Sequence, residues 1–132
     1  MTTIESEGAA RRRRAQGGKA DQLNDALAAL DPQMAEWSNT FVFGEVWGRE
    51  GLSQDERMLV AITALAATEH PAQLRNYLHG AFEAGISARK IREALVMMVV
   101  YAGFPTALTS LVLFNEVVAS ARRRGLELDL PA

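Results

Sequence analysis

Ala94-Leu95-Val96-Met97-Met98-Val99-Val100-Tyr101 is the run on which the fold class turns, because Val96–Tyr101 is apolar and β-branched enough to be a buried strand. A strand must share its backbone hydrogen bonds with a second strand, and no other run sustains the alternation one would show. Read as a helix, the segment has both ends marked. Ser87 stands in a capping position upstream, and Gly103-Phe104-Pro105 makes a sharp corner downstream.

The same punctuation recurs on either side. Leu23, Leu27 and Leu30 form the stripe of a short amphipathic helix, and Asp31-Pro32 caps and opens another through Met34, Trp37 and Phe41. Ser53-Gln54-Asp55-Glu56 is a capping box ahead of Leu59, Ile62, Leu65 and Ala66. Pro71 starts a helix through Leu74, Leu78 and Phe82 that Gly85 ends in the left-handed region. A last helix runs from Pro105 to Arg122–Arg124, where three cations suit the negative end of its dipole. The expectation is an all-α fold of about six helices within residues 21–132.

Residues 1–20 read differently. Arg11, Arg12, Arg13, Arg14 and Lys19 outnumber Glu5 and Glu7, and Gly17-Gly18 offers a hinge. A basic, mobile N-terminal arm is expected, solvated or laid across an acidic neighbour or a polyanion. The whole chain carries a net charge of −2, which gives no reason to expect nucleic acid. Ala94–Phe104, the longest near-continuous apolar stretch, is about half a bilayer span, and no secretory core segment follows the arginines. No membrane partner and a cytoplasmic location are therefore expected. Val96–Val100 is apolar on every side, so it needs cover all round, and a domain this small can supply only part of it. A homo-oligomer follows.

Candidate chemistry is narrow. With no cysteine and only His70 and His79, thiol catalysis is excluded and a histidine-rich metal site is not expected. Gln73-Leu74-Arg75-Asn76-Tyr77-Leu78-His79-Gly80-Ala81 is the densest polar interruption of an apolar helix. Arg75 shares a face with His79, and Gln73 with Tyr77. His79 is the side chain most readily tuned for proton transfer, although an interfacial histidine fits equally. His70, in a Glu-His-Pro turn, reads as exposed, and Glu56 is accounted for by its capping box. Arg57 could bind a carboxylate or make a surface ion pair. In Phe41-Val42-Phe43-Gly44-Glu45-Val46-Trp47-Gly48, Glu45 lies among aromatics and glycines that could desolvate it, while the aromatics could equally be plain core.

These residues resemble a known family. Phe43-Gly44-Glu45-Val46-Trp47-Gly48-Arg49-Glu50-Gly51-Leu52, Arg57-Met58-Leu59-Val60, Leu74-Arg75 through Gly80-Ala81 and Gly85, and above all Val100-Tyr101-Ala102-Gly103-Phe104-Pro105-Thr106-Ala107 are similar to successive blocks of carboxymuconolactone decarboxylases. The resemblance implies an all-α alkylhydroperoxidase-like fold, a homotrimer or homohexamer, and loss of CO2 from a carboxylated unsaturated lactone with no metal or organic cofactor. The family's peroxidase branch needs a Cys-x-x-Cys pair that this chain lacks. Where the family usually has a histidine, three residues before the Gly-Ala pair, this chain has Tyr77, and its histidine follows at His79.

The expected site therefore has His79 and Glu45 as the acid–base pair. Tyr77 and Arg57 would hold substrate oxygens, with Phe43, Trp47 and Tyr101 lining the pocket of a small-molecule substrate. A decarboxylase, a cyclase or isomerase of another carbonyl compound, and a non-catalytic binding protein all fit this pattern.

Overall fold

A computed structural model describes residues 3–132. The chain runs through α1 (Ile4–Gln16), a 3₁₀ turn (Gly17–Lys19), α2 (Ala20–Leu30), α3 (Pro32–Trp37), a π-helical segment (Ser38–Val46), α4 (Gln54–Ala67), α5 (Pro71–Glu83), α6 (Ala88–Tyr101) and α7 (Phe104–Arg123). No strand occurs among the described residues. The six expected helices all form, and α1 adds a seventh.

Local chemistry sets the boundaries. Asp31 accepts from the Gln33 N–H to open α3, and Ser53 and Glu56 satisfy each other's backbone at the start of α4. Ser87 accepts from the Lys90 N–H at the start of α6, and Asp129 in the C-terminal tail accepts from the Ala88 and Arg89 N–H groups there. Gly85, at φ +78°, turns the chain between α5 and α6. The core gathers Phe43, Met58, Ile62, Leu78, Ile91, Leu95, Phe114 and Val117, all fully buried. Phe82 meets Phe114 edge-on at 5.7 Å.

The basic segment corrects the expectation of a mobile arm. Residues 4–16 form a helix packed on the π-helical segment and on α5, with Arg12 and Ala15 buried. Arg12 Nε donates to Asn39 Oδ1 at 2.7 Å, and its guanidinium also reaches the Ala20 carbonyl and Asp21. A buried guanidinium with every side engaged is a structural tie rather than a solvated charge. Small residues let the helices close. A Cβ on Gly8 would lie 1.7 Å from the Asn39 carbonyl oxygen, and one on Gly80 would lie 1.8 Å from that of Ala15.

Two apolar segments also depart from expectation. On α6, Ile91 and Leu95 are buried, whereas Val96, Met97, Val99, Val100 and Tyr101 are exposed in the single chain. They share that exposure with Phe104, Leu108 and Val112 of α7. The twenty-residue α7 is itself long and apolar enough to cross a membrane by length and composition. The search for unbroken apolar runs passed over it because Asn115 and Glu116 interrupt it. It packs on α4, α5 and α6, which places it as a core helix of the bundle.

Candidate active site

The π-helical segment forms one wall of the site. Its wide turn is seen in the Trp47 N–H, which donates to the Val42 carbonyl five residues back at 2.9 Å. Arg11 Nη1 of α1 donates to the Phe43 and Gly44 carbonyl oxygens at 3.1 and 3.3 Å. This register turns Phe43 inward. Its ring centroid lies 5.0 Å from that of Trp47, which lies 6.4 Å from that of Tyr77 on α5.

Between these elements opens a groove of ≈ 710 Å³. Its walls are Leu27, Met34, Trp37, Phe41, Val42 and Phe43, and its polar groups come from Gln16, Ser38 and Tyr77. A mostly apolar concavity with few polar groups is the usual form of a small-molecule site. Burial pushes the Tyr77 phenol above its ordinary value, and the hydrogen-bonded Gln16 side chain acts in the opposite direction. The phenol is therefore neutral around pH 7, a donor set in an apolar wall.

Two of the expected roles fall elsewhere. His79 is two residues beyond Tyr77, roughly 200° further round α5, and is not part of the groove's lining. Its Nδ1 lies 3.0 Å from Arg124 Nη2, and since arginine has only donors, Nδ1 accepts and the ring is neutral. Burial depresses its pKa, followed by the charges of Arg124, Lys19 and Arg75, with Glu83 opposing. Glu83 in turn accepts from Arg124 at 2.9 Å and from the Gly18 N–H at 2.8 Å. His79 thus belongs to a polar junction of the 3₁₀ turn, α5 and α7. Glu45 is exposed on the π-helical segment, away from both His79's partners and the groove lining.

Of the expected substrate contacts, Phe43, Trp47 and Tyr77 come together. Arg57 donates to the Arg49 carbonyl at 2.7 Å, pinning the loop ahead of α4, and Tyr101 is 76% exposed at the end of α6. Gln16, Trp37 and Phe41 were missed. Trp37 and Phe41 read as a core stripe, and Gln16 lay inside the supposed arm. Among the described residues, no three His, Cys, Asp or Glu side chains are grouped to hold a metal.

The position of His79 carries a consequence for stability. Its pKa is lower in the folded chain than in the unfolded one, so on acidification the unfolded state takes up the proton first. Stability from this source is intact above the unfolded value near 6.5 and falls as pH drops below it. His79→Gln should therefore lose less thermal stability than the parent between about pH 7 and about pH 5.5, a window above the ordinary carboxylate range. Equal losses in the two proteins would contradict this.

A second, smaller cavity of ≈ 200 Å³ lies where α4 ends and α5 and α7 begin. Leu65, Leu74 and Leu113 line it, with Glu69, His70 and Ser110. Glu69 takes φ +59° and accepts from the Thr106 hydroxyl at 3.3 Å. Although this cavity is the more enclosed, it contains neither Tyr77 nor the aromatic chain.

Known proteins bear on this arrangement. The family model described as the carboxymuconolactone decarboxylase family matches residues 32–116, from the start of α3 into α7. The chain is 30% identical over 97 residues to 4-carboxymuconolactone decarboxylase of Acinetobacter baylyi, covering 74% of this chain and 69% of that protein. It is 26% identical over 92 residues to nitrosuccinic acid decarboxylase npaB of Metarhizium robertsii, covering 70% and 62%. An uncharacterized 15.0 kDa protein of Paracoccus denitrificans is 35% identical over 80 residues, covering 58% and 59%. With the helical order, the groove and the matched span in agreement, the chain belongs to the carboxymuconolactone decarboxylase family.

Proposed function

We propose that the chain is a cofactor-independent decarboxylase of a small unsaturated lactone or keto acid, and that the groove beside Tyr77 is its active site. One observation carries the reading: a neutral phenol donor set into an apolar, aromatic-walled groove. Two relatives named for decarboxylation of different acids support the reaction class.

In such a reaction the bond to the carboxylate carbon breaks, CO2 leaves, and the electron pair moves onto a conjugated carbonyl oxygen. A proton then returns the pair to carbon. Tyr77 donates its O–H to that oxygen as charge develops there. Trp37, Phe41 and Phe43 take water from the substrate carboxylate, whose concentrated charge is dispersed as the bond breaks. Release of CO2 from candidate lactone and keto acids, followed with the parent chain and with Tyr77→Phe, tests the reading. Conversion of such an acid without CO2 release would instead assign a cyclase or isomerase.

The working form is a homo-oligomer built on the exposed apolar face of α6 and α7. Val100, 77% exposed, lies on this face. Single-chain proteins rarely leave so large a contiguous apolar surface in water. Val100→Glu should convert the assembly to monomer in sedimentation velocity. A parent chain that sediments as a monomer would refute the assembly.

A further inference from the structure

Helix α1 lies outside the span matched by the family, yet its last residue stands in the groove wall. Its placement is fixed from three sides. Gly8 meets the Asn39 carbonyl, Ala15 meets Gly80, and Arg11 and Arg12 are tied to the π-helical segment. The chain then turns away at Gly17, φ +67°, leaving the Gln16 side chain beside Tyr77.

We propose that Gln16 is the positioning residue for Tyr77, aiming the phenolic proton into the groove. A carboxamide N–H donated to the phenol oxygen occupies the side of that oxygen facing α1. The phenol's own O–H must then point away from Gln16, toward the place where a substrate oxygen would sit. The remaining amide atom agrees with this division. Among the described residues Gln16 Oε1 is buried without a hydrogen-bond partner, so it is not engaged by the phenolic proton. An orphaned buried acceptor destabilises the fold by about 1–3 kcal/mol, the kind of cost that function retains. Burial and Gln16 are the two influences on how the phenol titrates, and no charged side chain contributes.

The inference rests on the reading of Tyr77 as the donor to substrate, but its test does not depend on activity alone. The chain has two tyrosines, Tyr77 and Tyr101, so in a Tyr101→Phe background the ultraviolet phenolate signal reports Tyr77 alone. Gln16→Leu removes the donor at similar volume, and Gln16→Glu keeps the shape while offering only an acceptor. Both should move the phenol titration upward, Glu further than Leu, with unchanged circular dichroism. Both should also lower kcat about 10-fold while KM changes less, as expected when a transition-state contact is misaimed. An unmoved titration in both variants would overturn the positioning role. Shifted titrations in an enzyme whose rate ignores Tyr77→Phe would leave the contact standing and sink the catalytic reading instead. A rate lost in Gln16→Leu but kept in Gln16→Glu would assign Gln16 to packing.

Discussion

Replacing Tyr77 with phenylalanine lowers kcat by about 100-fold or more, with KM changed little, because it removes one donor hydrogen bond made chiefly to developing charge. The ring, its packing against Trp47 and the groove's shape are retained, so the loss reports the hydroxyl. The control is His79→Gln. Its ring is engaged with Arg124 and lies outside the groove lining, so that variant should stay within a few-fold of the parent at about pH 7. The opposite pattern, with Tyr77→Phe active and His79→Gln dead, would return the acid–base role to His79. The pH profile adds a second measurement. Burial holds the phenol above its ordinary value, so the alkaline decline of kcat should come later than a free tyrosine would give.

Gly80→Ala should destabilise the protein by about 3 kcal/mol or more, despite placing a better helix former in the middle of α5. Alanine for glycine in an open helix gains only about 1 kcal/mol. Here the new methyl would stand 1.8 Å from the Ala15 carbonyl oxygen, a backbone atom that cannot swing aside, so α1 must move as a body. Chemical denaturation with a fixed slope measures the loss. Because the moving helix carries Gln16, activity should fall even where the variant remains folded. A variant as stable as the parent would mean that α1 is not seated as described.

What the sequence made legible was local. The caps at Asp31, Ser53 and Ser87 and the turn at Gly85 depend on partners a few residues away, and each formed where its chemistry placed it. The seating of α1 was hidden because it depends on distant partners. In Arg11–Arg14, Arg12 is buried against Asn39 while Arg13 and Arg14 lie at the surface, a division that no run of four like residues displays. Within the site, Phe43, Trp47 and Tyr77 were found by residue type. His79, Glu45 and Arg57 were also grouped by type, but helix phase and nearby partners sent them to separate surroundings. The same phase gave Tyr77, rather than the histidine two places on, to the groove.

The π-helical segment makes the groove depend on counting. Nine residues are wound there in wider turns than an α-helix uses, with Phe43 inward and Phe41 and Val42 at the groove's open side. Each residue of an α-helix advances the chain by about 100°, so a stretch one residue shorter could relax to ordinary winding only by rotating every later side chain. Phe43 would leave the core and Trp47 would lose its neighbours. In this stretch the number of residues, and not merely their kind, is a determinant of shape. A one-residue difference in length would remodel the cavity even with every aromatic kept.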